Sequence, residues 1–158
     1  MKFISILFSS AFALSVAAAP ADKTAAQTSA FEAAMAEYDA SHPVSEADTD
    51  FSKRAVGAGV FYCRNDRWKG GCHRQYFIDG VCQGVPKEWN DQISSLGPDA
   101  SVKDKDWGCD VFTEGNCQGQ KFLIFYPGSD IMSAHNMNDK VSSIKCGRRM
   151  KAQGAKPA

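Results

Sequence analysis

The sequence predicts an all-β sandwich made of two similar halves and stapled by disulfides. The first observation is a repeat. Asn90-Asp91-Gln92-Ile93-Ser94-Ser95 returns 48 residues later as Asn138-Asp139-Lys140-Val141-Ser142-Ser143. Both copies read Asn-Asp, two residues, Ser-Ser and an aliphatic side chain, Leu96 or Ile144. Self-similarity at a fixed spacing is the mark of duplicated architecture. The second observation is that all six cysteines fall between positions 63 and 146. The third is a series of short aromatic and β-branched runs bounded by glycine and proline, which is the signature of strands between turns.

Residues 59–63 and 107–112 open the two halves as strands. Residues 75–78 and 121–126 follow, stopped by Gly80 and by Pro127-Gly128. Residues 92–96 and 140–146 close each half. Beyond position 55 no long apolar pattern at helical spacing occurs, so two packed sheets are expected. Phe61, Trp68, Phe77, Ile93, Phe112, Phe122, Ile124, Val141 and Ile144 are the expected core between them.

The amino terminus has a different character. Lys2, an apolar run over residues 3–16 and Ala17-Ala18-Ala19 compose a secretory signal peptide, 1–19. The run is too short to span a bilayer. Residues 20–54 hold seven acidic residues and no cysteine, and they end in the dibasic pair Lys53-Arg54. That composition reads as an acidic propeptide cut after Arg54 by a kexin-type protease and standing outside the fold, its alanine-rich stretch at most a transient helix. Residues 55–146 are then the folded domain and 147–158 a basic, disordered tail. The part from Ala55 carries 14 Lys and Arg against 11 Asp and Glu. That excess is too small to argue for nucleic-acid or membrane binding.

Six cysteines in a short secreted chain imply three disulfides. Zinc is disfavoured because no C-x-x-C pair occurs and the domain holds only His73 and His135. Each half contains three cysteines (Cys63, Cys72, Cys82 and Cys109, Cys117, Cys146), so at least one bridge must cross between halves. Symmetry of spacing favours Cys63–Cys72 and Cys109–Cys117 as hairpin staples, with Cys82–Cys146 as the link.

The repeated hexapeptide has its own chemistry. Asn and Asp turn back on nearby backbone N–H groups, so each copy suits a loop entering a strand. The same atoms are hard oxygen donors of the kind Ca²⁺ prefers, although one copy alone cannot supply six to eight of them. The doubled pattern resembles the βγ-crystallin signature of two Asn or Asp residues, two variable positions, Ser or Thr, then Ser. The resemblance covers about residues 58–146 and implies two four-stranded Greek key motifs paired in one domain. The hairpin signature of that family is degenerate here, reading Cys63, Trp68 and Gly70 in one half and Phe112, Cys117 and Gly119 (or a shifted version with Gly115) in the other. The resemblance further implies Ca²⁺ ligands contributed crosswise: the Asp91 side chain, the Gln92 carbonyl and the Ser94 hydroxyl, with Asp139, the Lys140 carbonyl and Ser142. One carboxylate per site implies weak affinity, about 10⁻⁴ to 10⁻³ M, and the Lys140 charge should weaken it further.

No catalytic constellation is legible. His73 and His135 sit in polar contexts without a triad arrangement, and the serine pairs lack a nucleophile elbow. No Asn-x-Ser/Thr sequon is present. The expectation is a secreted, extracellular, monomeric and non-enzymatic protein, fungal in type. It would act on an unknown extracellular protein or cell-wall target, as a killer toxin or effector does. The alternatives are a secreted protease inhibitor presenting a loop near Lys87 or near Lys103 and Lys105, and a structural cell-wall-associated protein.

Overall fold

The structure is a computed structural model that describes residues 23–43, 57–99 and 106–148. The signal peptide, Lys53-Arg54, Lys103, Lys105 and most of the tail lie outside the described residues.

Strands β1 (Gly57–Asn65) and β2 (Lys69–Ile78) form one antiparallel hairpin, and β5 (Trp107–Glu114) and β6 (Gln118–Phe125) form its counterpart. The two hairpins share their irregularities. Register slips between Cys63 and Asn65 in one, and between Phe112 and Glu114 in the other. At the corners Arg67 and Trp68 take positive φ, as do Asn116 and Cys117. Gly70 and Gly119 follow at φ +79° and +78°. A Cβ at Gly70 would meet the Asn65 side chain, and one at Gly119 would meet Thr113 Oγ1, so both positions need glycine on two counts. The equivalent glycine of the second half is therefore Gly119, not Gly115.

The third strand of the first half leaves its own hairpin. β3 (Cys82–Gly84) pairs with β7 (Ser143–Arg148), and β7 pairs with β5. β4 (Ser95–Pro98) returns to β1. The result is one sheet ordered β2-β1-β4 and another ordered β3-β7-β5-β6. A reciprocal Leu96–Ser129 bridge attaches the second half's connection to the first sheet. The backbones close tightly there: a Cβ on Gly97 would lie 2.0 Å from the Pro127 carbonyl oxygen. Each half thus completes the sheet of the other, which is how a duplicated chain becomes one core.

That core contains Val60, Tyr62, Phe77, Ile93, Leu96 and Val111, with Ile124, Met132, Met137, Val141 and Ile144. Of the expected residues, Phe61 and Trp68 belong elsewhere, Phe112 is buried outside this cluster, and Phe122 is only partly buried against it. Alternation along β1 sends Val60 and Tyr62 inward, while Phe61 and Cys63 face outward. Phe61 is nevertheless fully buried, because a helix covers it. This helix, α1 (Lys23–Ser41), packs Phe31 and Met35 onto Phe61, Trp68 and the Cys63–Cys72 corner. The acidic segment expected to stand outside the fold is thus partly docked on it. Burying Phe31 alone contributes about 1.5–3 kcal/mol, and tertiary packing of this kind is the main source of helix stability in proteins.

The closing strands start later than the sequence indicates. β4 begins at Ser95 and β7 at Ser143, so the first five residues of each hexapeptide are loop. β7 also runs to Arg148, which pairs with Trp107, so Gly147 and Arg148, expected in the tail, belong to the sheet.

The disulfides are Cys63–Cys72, Cys82–Cys117 and Cys109–Cys146. The first agrees with symmetry, and the other two correct it. Cys63 is directly opposite Cys72, but Cys109 is opposite Ile124. The corner residue Cys117 therefore lies about 16 Å along the strand from Cys109. Cys109 instead faces Cys146 across the β5–β7 pair. Cys117 at its corner meets Cys82 on the exchanged strand, and that bridge is the one between halves.

Candidate functional site

The two hexapeptides lie against each other. Asp91 N–H donates to the Val141 carbonyl at 3.3 Å, and Asp139 N–H donates to the Ile93 carbonyl at 3.1 Å. Both aspartates take positive φ, 57° and 51°, a conformation that Asp tolerates better than most residues. Their carboxylates are oriented alike. Asn90 Nδ2 donates to Asp91 Oδ2 at 2.8 Å, and Asn138 Nδ2 donates to Asp139 Oδ2 at 2.7 Å. The other oxygen of each carboxylate faces the opposite half. Ser94 Oγ lies 3.3 Å from Asp139 Oδ1, and Ser142 Oγ lies 3.4 Å from Asp91 Oδ1. Hydroxyl-to-carboxylate bonds are ordinarily 2.5–3.0 Å, so each pair is loosely closed.

The remaining positions frame these pairs. Ser94 N–H donates to the Cys63 carbonyl at 3.0 Å, and Ser142 N–H to that of Phe112 at 2.9 Å. The Thr113 carbonyl, 3.1 Å from Ser142 Oγ, is a second acceptor for that one O–H and brings a further oxygen to that side. Gln92 is exposed, with its N–H on the Trp89 carbonyl. Lys140 Nζ donates to the backbone and side-chain oxygens of Asn136, at 3.3 and 3.2 Å. Its ammonium thus has acceptors of its own on Asn136.

The structure therefore assembles Asp91 with Ser142, and Asp139 with Ser94. The orienting asparagines and the Thr113 carbonyl were missed by sequence reasoning, although the repeated Asn was visible in both copies. Among the described residues no group of three His, Cys, Asp or Glu side chains could hold a metal ion. The donors are one carboxylate, hydroxyls and carbonyls per site. Such oxygens fit a weakly held hard cation and not zinc.

The histidines have packing partners. His73 lies on β2, stacked on Trp89 with ring centroids 5.6 Å apart, which corrects its expected polar loop setting. Burial holds its pKa below the usual value, with nearby His42 adding to the effect and Glu88 opposing it. His135 stacks on Phe122 at 4.0 Å. Lys87 opens a short 3₁₀ turn ending in buried Trp89, not an extended loop.

No known family profile matches the chain, and no curated protein matches it. Among solved structures, a βγ-crystallin from an archaeon superposes with a TM-score of 0.44 at 16% identity, covering 59% of this chain and 98% of that one. A βγ-crystallin from Ciona intestinalis gives 0.43 at 13% identity, over 55% of this chain and 96% of that one. A βγ-crystallin domain from Clostridium beijerinckii gives 0.40 at 21% identity, over 56% and 97%. The likeness is one of fold. In this chain the exchanged β3 and the reciprocal Leu96–Ser129 bridge interlock two Greek keys.

The fold is a βγ-crystallin-like sandwich.

Three disulfides staple this βγ-crystallin-like sandwich, and α1 covers the outer face of its first sheet. Among the described residues no helix is long and apolar enough to cross a membrane.

Proposed function

We propose that the protein is a secreted, non-enzymatic binding module whose paired loops take up Ca²⁺. The observation that carries this reading is the crossed pairing of Ser94 with Asp139 and of Ser142 with Asp91. Asp91 and Asp139 would each supply one carboxylate oxygen. Ser142 and Ser94 would supply hydroxyls, and Gln92 and Lys140 would supply carbonyls. The cation would replace two loosely closed hydrogen bonds by tighter links between the halves, so bound Ca²⁺ would stabilise the fold. The disulfides and the apolar start of the chain support secretion. Lys53-Arg54 would mark where the acidic segment is cut away.

The biological activity would then be attachment to a cell-surface or protein target, in the manner of a toxin or effector. A protease inhibitor is less well supported, because Lys87 belongs to a 3₁₀ turn and inhibitor loops present an extended backbone. Calorimetric titration of the oxidised chain with Ca²⁺ tests the metal reading. Two weak sites with a matching rise in melting temperature are expected. Asp91→Ala and Asp139→Ala should each remove one. Unchanged stoichiometry in both variants would remove the assignment.

A further inference from the structure

The apolar face beneath α1 is built to receive a helix. Phe31 is fully buried, with its ring centroid 4.6 Å from Trp68, 5.8 Å from Tyr126 and 5.9 Å from Phe61. Polar contacts surround this aromatic centre. Tyr126 OH donates to Glu32 at 2.7 Å, and Arg74 Nη1 donates to Asp39 at 3.1 Å. Arg74 is itself fixed by buried Asp99. The sandwich side of the interface therefore offers an aromatic socket, a phenol donor and an anchored guanidinium. The helix side offers an aromatic ring, a carboxylate next to it and another eight residues on.

The fit is incomplete. Trp68 is only 5% exposed, and its indole N–H finds no hydrogen-bond partner among the described residues. Trp68 also lines a cleft between the helix and the hairpin corner, together with Ala34, Tyr38, Gly70 and Cys72. A buried donor without an acceptor is costly, so a helix presenting an acceptor there would bind better than α1 does. α1 has in addition the advantage of covalent linkage, since a segment of the same chain competes with any second helix intramolecularly.

We propose that the face framed by Phe61, Trp68, Tyr126 and Arg74 is a helix-binding surface, that α1 occupies it in the intact chain, and that its partner is a protein presenting an acidic amphipathic helix with a central aromatic residue. This deepens the target-binding reading by naming the surface and the class of partner. It is independent of Ca²⁺, so the two readings can fail separately. Removal or loosening of α1 uncovers the surface. An aromatic side chain fills the socket, and carboxylates meet Tyr126 OH and Arg74.

The test uses the oxidised full chain and a fluorescein-labelled synthetic peptide of residues 23–41, followed by anisotropy. The Phe31→Ala chain should bind the peptide saturably and at least tenfold more tightly than the parent chain, whose surface is occupied in cis. A peptide carrying Phe31→Ala should lose the binding. Absence of saturable binding, equal binding by both chains, or equal binding of both peptides would overturn the proposal. A concentration-dependent dimer of the Phe31→Ala chain that excludes the peptide would also overturn it, identifying a second copy as the occupant. Should Phe31→Ala prevent folding, the Glu32→Lys/Asp39→Lys chain loosens the cover from its exposed side, and the same outcomes apply.

Discussion

Ser95 and Ser143 occupy equivalent positions in the two halves, and each locks a hairpin corner with one hydroxyl. Ser95 Oγ donates to the Asn65 carbonyl at 2.9 Å and accepts from Trp68 N–H at 3.3 Å. Ser143 Oγ donates to the Glu114 carbonyl and accepts from Cys117 N–H at 3.0 Å. The last Ser of each hexapeptide is thus a fold determinant, and the first faces the opposite half's carboxylate. Both corner serines are fully buried, so removal of either hydroxyl takes the partner from backbone groups that are partly buried at the corner. Ser95→Ala and Ser143→Ala should each destabilise by about 1–3 kcal/mol, read as a fall in melting temperature of several degrees or more. Ca²⁺ stoichiometry should not change, which separates these serines from Ser94 and Ser142.

The repeat made this architecture legible. Asn-Asp and Ser-Ser in both copies located the loops that meet, and the alternating aliphatic residues located the inward face. What escaped was information held in tertiary pairing. Cys109 and Cys117 have nearly the same spacing as Cys63 and Cys72. Yet the strand register sets Cys63 opposite Cys72 and Cys109 opposite Ile124. The docked helix escaped because alanine-rich, acidic composition reads as unfolded. The signal that could have found it was the unbroken apolar run Val60-Phe61-Tyr62-Cys63. A strand with water on one face should alternate, and this one does not.

The bridges should differ in their response to reductant. Cys63, Cys109 and Cys146 are at most 1% exposed, whereas Cys82 is on the surface. Access limits attack on a disulfide. Mild reduction followed by alkylation and peptide mapping should therefore label Cys82 and Cys117 first. The Cys82→Ser/Cys117→Ser chain should retain the fold but lose about 2–4 kcal/mol of stability. Early labelling of Cys109 would contradict this burial.

His73 gives the stability a pH dependence of defined sign. Burial lowers its folded pKa, while the unfolded residue titrates near the usual value of about 6.5. Between those values the unfolded chain binds more protons, so stability rises with pH across that window. Above about 6.5 both states are neutral at this residue. Its contribution is fully present there and is lost as pH falls through the folded value. Melting temperatures of the parent and His73→Gln chains should therefore draw together as pH falls below about 6.5, and a constant difference would assign the acid sensitivity to other groups.

Tyr126 reports whether α1 is docked. Its pKa is pushed up to about 12 by burial, then by the hydrogen bond to Glu32 and the charge of that carboxylate. A raised folded value means that the stabilisation is complete below the unfolded value of about 10. It is lost as pH rises through the folded value. Glu32→Ala removes the acceptor and the charge together, so phenolate absorbance attributed to Tyr126 by comparison with Tyr126→Phe should appear at lower pH, nearer 10. Cutting the chain between α1 and β1 and separating the fragments should have the same effect, because the helix carries both the carboxylate and the apolar cover. If the titration of Tyr126 did not respond to Glu32→Ala, α1 would not be seated as described. Low trans-peptide affinity in the intact chain would then have to arise from something other than cis occupancy.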